Sequence, residues 1–525
     1  MDNRTLGAVP ASRINLKEVD NMEKTVISIM FIVIITKVMG FSRDIFLAYF
    51  YGADGLTDAY LISTSISTVI FAFVGMGIAA SYIPVYTKIF NERGREPAEK
   101  FTVNVTNAVM LLTTVLILII MCFTTPIVKL FAFGFEGETL RIAVIFTRII
   151  SVTLYFTALI YIFTSYLEVK NRFLTTELSG LPLNIILITT IAISSWLGLY
   201  VLAIGTVIAV IVQFLSMIPA IKRSGYRHSL ILNFKDQDLK QMVFLAIPVI
   251  IGVSADQINV LVDRTIASQI IEGGISALTY AHRLVFFVQA IFVLVIVKVM
   301  FPKISKLAAR KEISELKSVV GKVITTVSLI VIPAAVGMMI FSRQITELLF
   351  GRGEFEEYEI EMTTGLMFFY ALGLLGFGLR EVLTKVFYSL EDSRTPMINA
   401  FGAMFLNVSL NLVLTRIIGL NGLALATSIA AIVSTMLLYI SLIRKIGSLD
   451  SRRLMFDLAK GLLAALIMGV AAKAVFTLSL SAMGDLPALF IGVLTGFLVY
   501  TGMLWILQLS DIAYYKARLM GLARR

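Results

Sequence analysis

The stretches GLYVLAIGTVIA (198–209) and GLNGLALATSIA (419–430) align without a gap and match at Gly, Leu, Leu, Ala, Thr, Ile and Ala. Their separation of about 220 residues marks an internal repeat, the device from which many membrane transporters are built around a central site. The same spacing carries Pro84 and Lys88 onto Pro302 and Lys306, and Leu167, Glu168 and Asn184 onto Leu390, Glu391 and Asn407. Both repeated stretches are largely apolar, and so is most of the chain. Of 525 residues, 58% are hydrophobic and 15% are charged. That leaves too few polar groups to clothe a soluble domain, in which about a quarter of residues are charged. The apolar residues suffice for about 12 to 15 spans of roughly 20 residues each. The chain reads as an all-α integral membrane protein.

Working outward from the repeat, apolar runs fall at 24–50, 58–86, 102–127, 141–167, 178–196, 199–221, 240–270, 275–301, 318–342, 360–388, 396–416, 420–443, 457–479 and 487–509. These are fourteen expected transmembrane helices: two six-helix lobes related by the repeat, then two C-terminal helices. The expected organisation is a tail (1–23), an N-lobe (24–224), a C-lobe (239–446), helices thirteen and fourteen (457–509) and a second tail (510–525). An even number of helices per lobe gives both repeats one orientation, with a pseudo-axis along the membrane normal and a cavity between the lobes. Alternate loops are basic: Lys88, Arg93, Arg95 and Lys100; Lys170 and Arg172; Lys222, Arg223, Arg227, Lys235 and Lys240; Lys303, Lys306, Arg310, Lys311 and Lys317; Arg444, Lys445, Arg452 and Arg453. The loops between them, such as YGADGLTD (51–58), IIEGG (270–274) and GEFEEYE (353–359), are neutral or acidic. Since Lys and Arg concentrate in cytoplasmic loops, both termini are expected in the cytoplasm. The net charge of +11 then needs no nucleic acid to explain it. Residues 1–23 are polar and the first apolar run has no small-residue cleavage site, so no cleaved signal peptide is expected.

The inventory of reactive groups excludes most chemistry. One cysteine, Cys122, permits no internal disulfide, and two histidines, His228 and His282, cannot build the usual zinc or Cys/His catalytic centres. The run Val319, Val320, Gly321, Lys322 lacks the rest of a phosphate-binding loop, so ATP is not expected to be used. What remains is charge inside the spans, which costs several kcal/mol unless it meets a cavity or a partner. Helix one holds Lys37, Arg43 and Asp44; helix seven Asp256, Asp263 and Arg264; helix eight His282 and Arg283; helix ten Arg380, Glu381 and Lys385. Arg43 with Asp44, and Asp263 with Arg264, read either as cavity charges or as helix ends whose side chains snorkel; Lys298 and Lys473 read as snorkelling. Arg283 lies about eight residues into its helix, too deep to snorkel easily, and calls for an anion. A cationic cavity in a lipid-facing bundle suits an amphiphile with an anionic head, because the arginine fork binds phosphate oxygens bidentately. Lipid pyrophosphates have that chemistry. His282 is either a proton carrier or simply hydrogen-bonded.

Five motifs in order, KVMGFSRD (37–44), YGADGLTDAY (51–60), TYAHR (279–283), LFGRGEF (349–355) and FYSLEDSRTP (387–396), resemble the MurJ family of lipid II flippases. That family sits in a superfamily with multidrug exporters and polysaccharide flippases. The resemblance implies a transporter rather than an enzyme, in the bacterial cytoplasmic (inner) membrane. It would move undecaprenyl-pyrophosphate-linked disaccharide pentapeptide to the outer leaflet for peptidoglycan synthesis, by alternating access. Its partners would be that lipid-linked glycan, membrane lipids and the cell-wall synthesis machinery. The resemblance places Arg43, Asp44, Asp58 and Arg283 where the family lines or supports its cavity, with Lys37 joining them at the pyrophosphate, and makes helices thirteen and fourteen a groove for the polyprenyl tail. Some members bind sodium, the one cofactor implied, and the matching positions are Asp263, Asn407, Asn411 and Thr427. Asn407 and Asn411 share a helix face, and serve equally as ion ligands or as interhelical hydrogen bonders.

Two departures stand out. The family often has arginine where this chain has Lys37, which keeps the charge and loses the fork. It often has a basic residue in helix two as well, and 59–86 has none before the cytoplasmic end. Both leave room for a flippase of another lipid-linked polysaccharide precursor. A multidrug exporter usually extrudes cations and would want an acidic cavity. A membrane scaffold for wall synthesis would use its buried charges only to join helices, and would keep working with them neutralised.

Overall fold

The computed structural model describes residues 16–507, and the regular structure within them is helical. The N-lobe comprises α1 (Leu16–Tyr51), α2 (Gly55–Arg93), α3 (Arg95–Cys122), α4 (Thr124–Phe131), α5 (Gly137–Ser151), α6 (Thr153–Val169), α7 (Phe173–Leu178), α8 (Gly180–Leu197) and α9 (Tyr200–Arg223). The C-lobe comprises α10 (Gln237–Ile270), α11 (Gly274–Ala309), α12 (Ile313–Ile340), α13 (Ser342–Phe350), α14 (Glu357–Ser389), α15 (Arg394–Ile418) and α16 (Asn421–Ile446). Two helices follow, α17 (Ser451–Met483) and α18 (Asp485–Ile506).

Each of the fourteen expected spans falls on a helix or a bent helix pair. Among the described residues, eleven stretches are long and apolar enough to cross a membrane unbroken, and two more do so as bent pairs: α5 with α6, at 42°, and the two halves of α10, at 44°. α1 carries the first expected span. In α10 the bend lies between Gly252 and Ser254, beyond Pro248, which lacks the N–H needed for a ladder bond. The short helices α4 and α13 were not expected, yet they hold equivalent places in the two lobes, after α3 and after α12. α1 starts at Leu16 rather than at 24, because LKEVDNMEK (16–24) is polar but rich in good helix formers. The rest of the first tail, the second tail (510–525) and the last two residues of expected helix fourteen lie outside the described residues.

The repeated stretch that opens on glycine has a local reason for doing so. Gly198 and Gly419 end α8 and α15 with φ of +102° and +58°, in the left-handed region that residues with a Cβ rarely adopt. Within FYSLEDSRTP, Asp392 accepts from the Thr395 N–H (2.9 Å) and from Lys445 Nζ (2.5 Å), tying the start of α15 to the end of α16. Partial burial raises this carboxyl, and the bonds from Lys445 and Thr395 outweigh that and hold it at about 2.

The N-lobe packs around α2, against α5 and α6, and the C-lobe around α14, against α11, α12 and α16. α17 and α18 pair with each other and dock on α12, where Ile332 and Val336 meet Ala464, Ala465 and Met468. The lobes meet along α2 and α10 and are closed together at the end that carries the acidic loops. There Ala48, Ala53 and Ile62 share one apolar cluster with Ile275, Leu278 and Tyr280. Backbone groups lock the same end. Glu354 N donates to Tyr49 O (3.0 Å), Ala53 N to Glu359 Oε1 (3.2 Å) and Tyr280 Oη to Gly52 O (3.2 Å). Gly353, at φ +70°, permits the first of these, since a Cβ there would lie 2.1 Å from Tyr49 O. At the basic end the lobes are joined by the Arg93–Asp238 ion pair and by Lys88 Nζ donating to Gln241 Oε1 (3.3 Å).

Candidate functional site between the lobes

Asp44, on α1, is the centre of a charged cluster between the lobes. Arg43 lays its fork on Oδ1, with Nε at 3.1 Å and Nη2 at 2.7 Å. The other carboxylate oxygen faces α11 of the opposite lobe, where Arg283 Nε lies 3.3 Å away. One carboxylate thus bridges two guanidiniums and two lobes, leaving a surplus positive charge. The Asp44 side chain is 7% exposed, Arg43's 22% and Arg283's 51%, so Arg283 keeps donor capacity accessible. About one turn toward the basic end the same two helices stack Phe41 on Phe287, with ring centroids 5.0 Å apart.

A third cation joins them that reading the spans one by one did not assign to the site. Arg264 enters from α10, placing Nη1 3.5 Å from Leu61 O on α2, within electrostatic reach of Arg283 and Asp58. The repeat contained the clue. The spacing that carries Gly52 onto Gly273, both with positive φ, also carries Arg43 onto Arg264. α2 lacks a basic residue within the span, as expected, and the cation comes from the other lobe. Lys37 lies further along α1 toward the basic end, exposed and without an ion pair among the described residues.

Asp58 has a different place. It accepts from Ser276 N (2.7 Å) and Ser276 Oγ (2.5 Å) in the first turn of α11. The N-cap residue of α11 is Gly273, which has no side chain to cap with, so the carboxylate arrives from the other lobe and meets the positive end of the helix. Asp58 therefore ties the two lobes together at the closed acidic end. His282 lies flat on Phe286 (3.8 Å between centroids) and edge-on to Tyr370, held by ring packing. Of the helix-ten charges, Glu381 and Lys385 pair along α14 at 3.7 Å.

The four expected cation ligands do come together. Asn411 Nδ2 donates to Asp263 Oδ1 (2.6 Å) and to Asn407 Oδ1 (3.0 Å), and Asn407 Nδ2 donates to Thr427 Oγ1 (3.1 Å). Asp263, Asn407 and Asn411 are buried, and Asn411 Oδ1 is a buried oxygen without a hydrogen-bond partner. A carboxylate, two amide oxygens and a hydroxyl form a hard-oxygen set that fits an alkali cation. No group of three or more His, Cys, Asp or Glu suits a transition metal among the described residues. The repeat mate of Asn407, Asn184, bonds instead to Gly180 O of its own helix (2.9 Å).

Similarity to known proteins runs along most of the chain. The family model described as lipid II flippase MurJ matches residues 47–492. A probable lipid II flippase MurJ of Buchnera aphidicola subsp. Baizongia pistaciae is 27% identical over 458 residues, 85% of this chain and 88% of that protein. A solved lipid II flippase MurJ in an inward closed conformation is 26% identical and covers 94% of this chain and 99% of its own, with a TM-score of 0.79. An inward-facing multidrug transporter of the MATE family shares the fold at 14% identity and a TM-score of 0.67, over 81% of this chain and 99% of its own. Matched through both lobes and into the last helix, this chain belongs to the MurJ family of lipid II flippases.

Proposed function

We propose that this protein is a lipid II flippase, carrying undecaprenyl-pyrophosphate-linked disaccharide pentapeptide from the cytoplasmic to the outer leaflet of a bacterial inner membrane. The observation that carries this reading is the Arg43–Asp44–Arg283 bridge, an ionic junction inside the membrane with unspent donors and a net positive charge. Pyrophosphate oxygens arriving at Arg283 compete with Asp44 for the fork. Head-group binding thereby weakens a tie between the lobes and is coupled to their separation. Arg43, Arg264 and Lys37 add to the positive field along the path. The tail stays in lipid beside α17 and α18, whose outward faces carry Leu466, Val470, Phe490 and Phe497. The direct test is reconstitution into vesicles with labelled lipid II, which should reach the opposite leaflet faster than in protein-free vesicles. A chain that moves another lipid-linked glycan and not lipid II would overturn the substrate assignment.

In this reading the acidic loops face outward and both termini inward. Once Cys122 is replaced, a cysteine at Glu138 or Arg352 should react with an impermeant maleimide on whole cells. One at Arg95 or Arg310 should react only after permeabilisation, and the reverse pattern would invert the assignment.

The Asp263 cluster is proposed to bind sodium, which would reset the empty carrier. A ligand held at a hundred times its Kd stabilises the folded state by about 2.7 kcal/mol, so sodium in place of choline should raise the melting temperature. Asp263→Asn should abolish that rise, and Asn411→Asp, by adding a second carboxylate, should shift it to lower sodium concentration. An unchanged response in Asp263→Asn would leave these residues a structural network.

A further inference from the structure

A polar crevice of about 350 Å³ lies at the basic-loop end, remote from the lobe interface, where α17 docks on the C-lobe. Its walls are the first half of α12, the loop 447–450 and the opening turns of α17. Ser314, Lys317, Ser318, Lys322 and Thr325 of α12 line it, at spacings that keep them on one side of the helix. Two glycines make the room. A Cβ on Gly321 would stand 4.0 Å from Leu449 O, and Gly447, at φ +87°, turns the chain so that Lys317 Nζ lies 2.7 Å from where its Cβ would be.

The charges do not cancel. Arg453 and Asp457, four residues apart on α17, contribute one of each sign, and both are engaged. That leaves Lys317 and Lys322, neither with an ion pair among the described residues, against the single carboxylate of Asp450. Asp450 has φ +57° and makes no side-chain capping bond, so a 33-residue helix begins at the wall of the crevice without a side-chain cap on its first N–H groups. Thr325 is 6% exposed, lines the crevice, and has a hydroxyl without a partner among the described residues. Beside the crevice, α17 presents Met455 (65% exposed), Phe456 (58%) and Leu463 (50%) outward, an apolar strip on the lipid side.

We propose that this crevice binds the phosphate of an anionic membrane lipid. Lys317 and Lys322 supply charge, Thr325 and the uncapped amides donate hydrogen bonds, and the acyl chains lie along Met455, Phe456 and Leu463. The phosphate fits by charge and donor count, and the apolar strip makes it a lipid's phosphate rather than a soluble one. Its place between α12 and α17 makes the lipid a bridge from the C-lobe to the appended helix pair.

The test uses the full-length protein, delipidated in detergent and then offered phosphatidylglycerol, phosphatidylcholine or inorganic phosphate, with bound species counted by native mass spectrometry. Wild type should retain phosphatidylglycerol at least tenfold better than Lys317→Gln/Lys322→Gln, and should not retain phosphatidylcholine. Thr325→Val, which is close to isosteric, should fall between them and guards against misfolding of the double variant; Lys100→Gln, on a remote exposed lysine, should match wild type. Equal retention of phosphatidylglycerol by wild type and both crevice variants overturns the site. Displacement of the lipid by millimolar inorganic phosphate overturns its assignment to a lipid headgroup.

Discussion

Arg283→Ala is expected to abolish lipid II transport in reconstituted vesicles while the protein inserts and folds normally. Folding should survive because Asp44 keeps both of its bonds from Arg43, at 3.1 and 2.7 Å, and so is not left as a bare buried carboxylate. Transport should fail because the lost side chain is the one whose donors remain open to an incoming anion. A charge-assisted hydrogen bond contributes about 1.5–3 kcal/mol, and a bidentate contact with phosphate provides two. At about 1.4 kcal/mol per tenfold, head-group affinity should drop by roughly two to four orders of magnitude. Arg283→Lys keeps the charge without the fork and should recover part of the activity. Arg43→Ala should be equally inactive and also less stable, since it removes the main partner of Asp44. Normal transport by Arg283→Ala at normal expression would refute the cavity assignment.

Asp58→Ala should act on the conformational equilibrium instead of on head-group affinity. The carboxylate accepts two bonds from Ser276 across the lobes, and its loss leaves the first turn of α11 uncapped where Gly273 offers nothing in its place. Two such bonds weaken the closed acidic end by about 3–6 kcal/mol before water satisfies the freed groups. Even half of that shifts a two-state population by about tenfold or more. Spin labels placed across the acidic end, at Glu138 and Arg352, should report a longer distance in Asp58→Ala than in wild type. Ser276→Ala, which removes the hydroxyl and keeps the backbone donor, should shift it less. Identical distance distributions for wild type and Asp58→Ala would show that the apolar cluster alone holds this end closed.

The two variants test different halves of one cycle. Arg283→Ala should leave the acidic end closed and the substrate unbound. Asp58→Ala should bind the head group, with its transport altered through the balance of states.

Much of this protein was determined by its sequence alone, because a bilayer enforces a simple code. Spans must be apolar and about 20 residues long, and basic loops mark one side. The repeat then follows from alignment of 198–209 with 419–430, and the ionisable residues worth examining follow from their rarity in spans. Arg43, Asp44 and Arg283 stood out in this way, and the Asp263, Asn407, Asn411 and Thr427 set came from the resemblance. What each residue touches was decided only in three dimensions. The resemblance implied only that Asp58 lines or supports a cavity, and the fold makes it the cap of a helix in the other lobe. Arg264 read either as a cavity charge or as half of a helix-end pair, and it stands within electrostatic reach of Arg283. The physical reason is that lipid is as apolar as a protein core, so hydrophobic pattern in a spanning helix does not separate the face that meets lipid from the face that meets protein. Contacts between lobes also join residues about 220 positions apart, and no local periodicity records them.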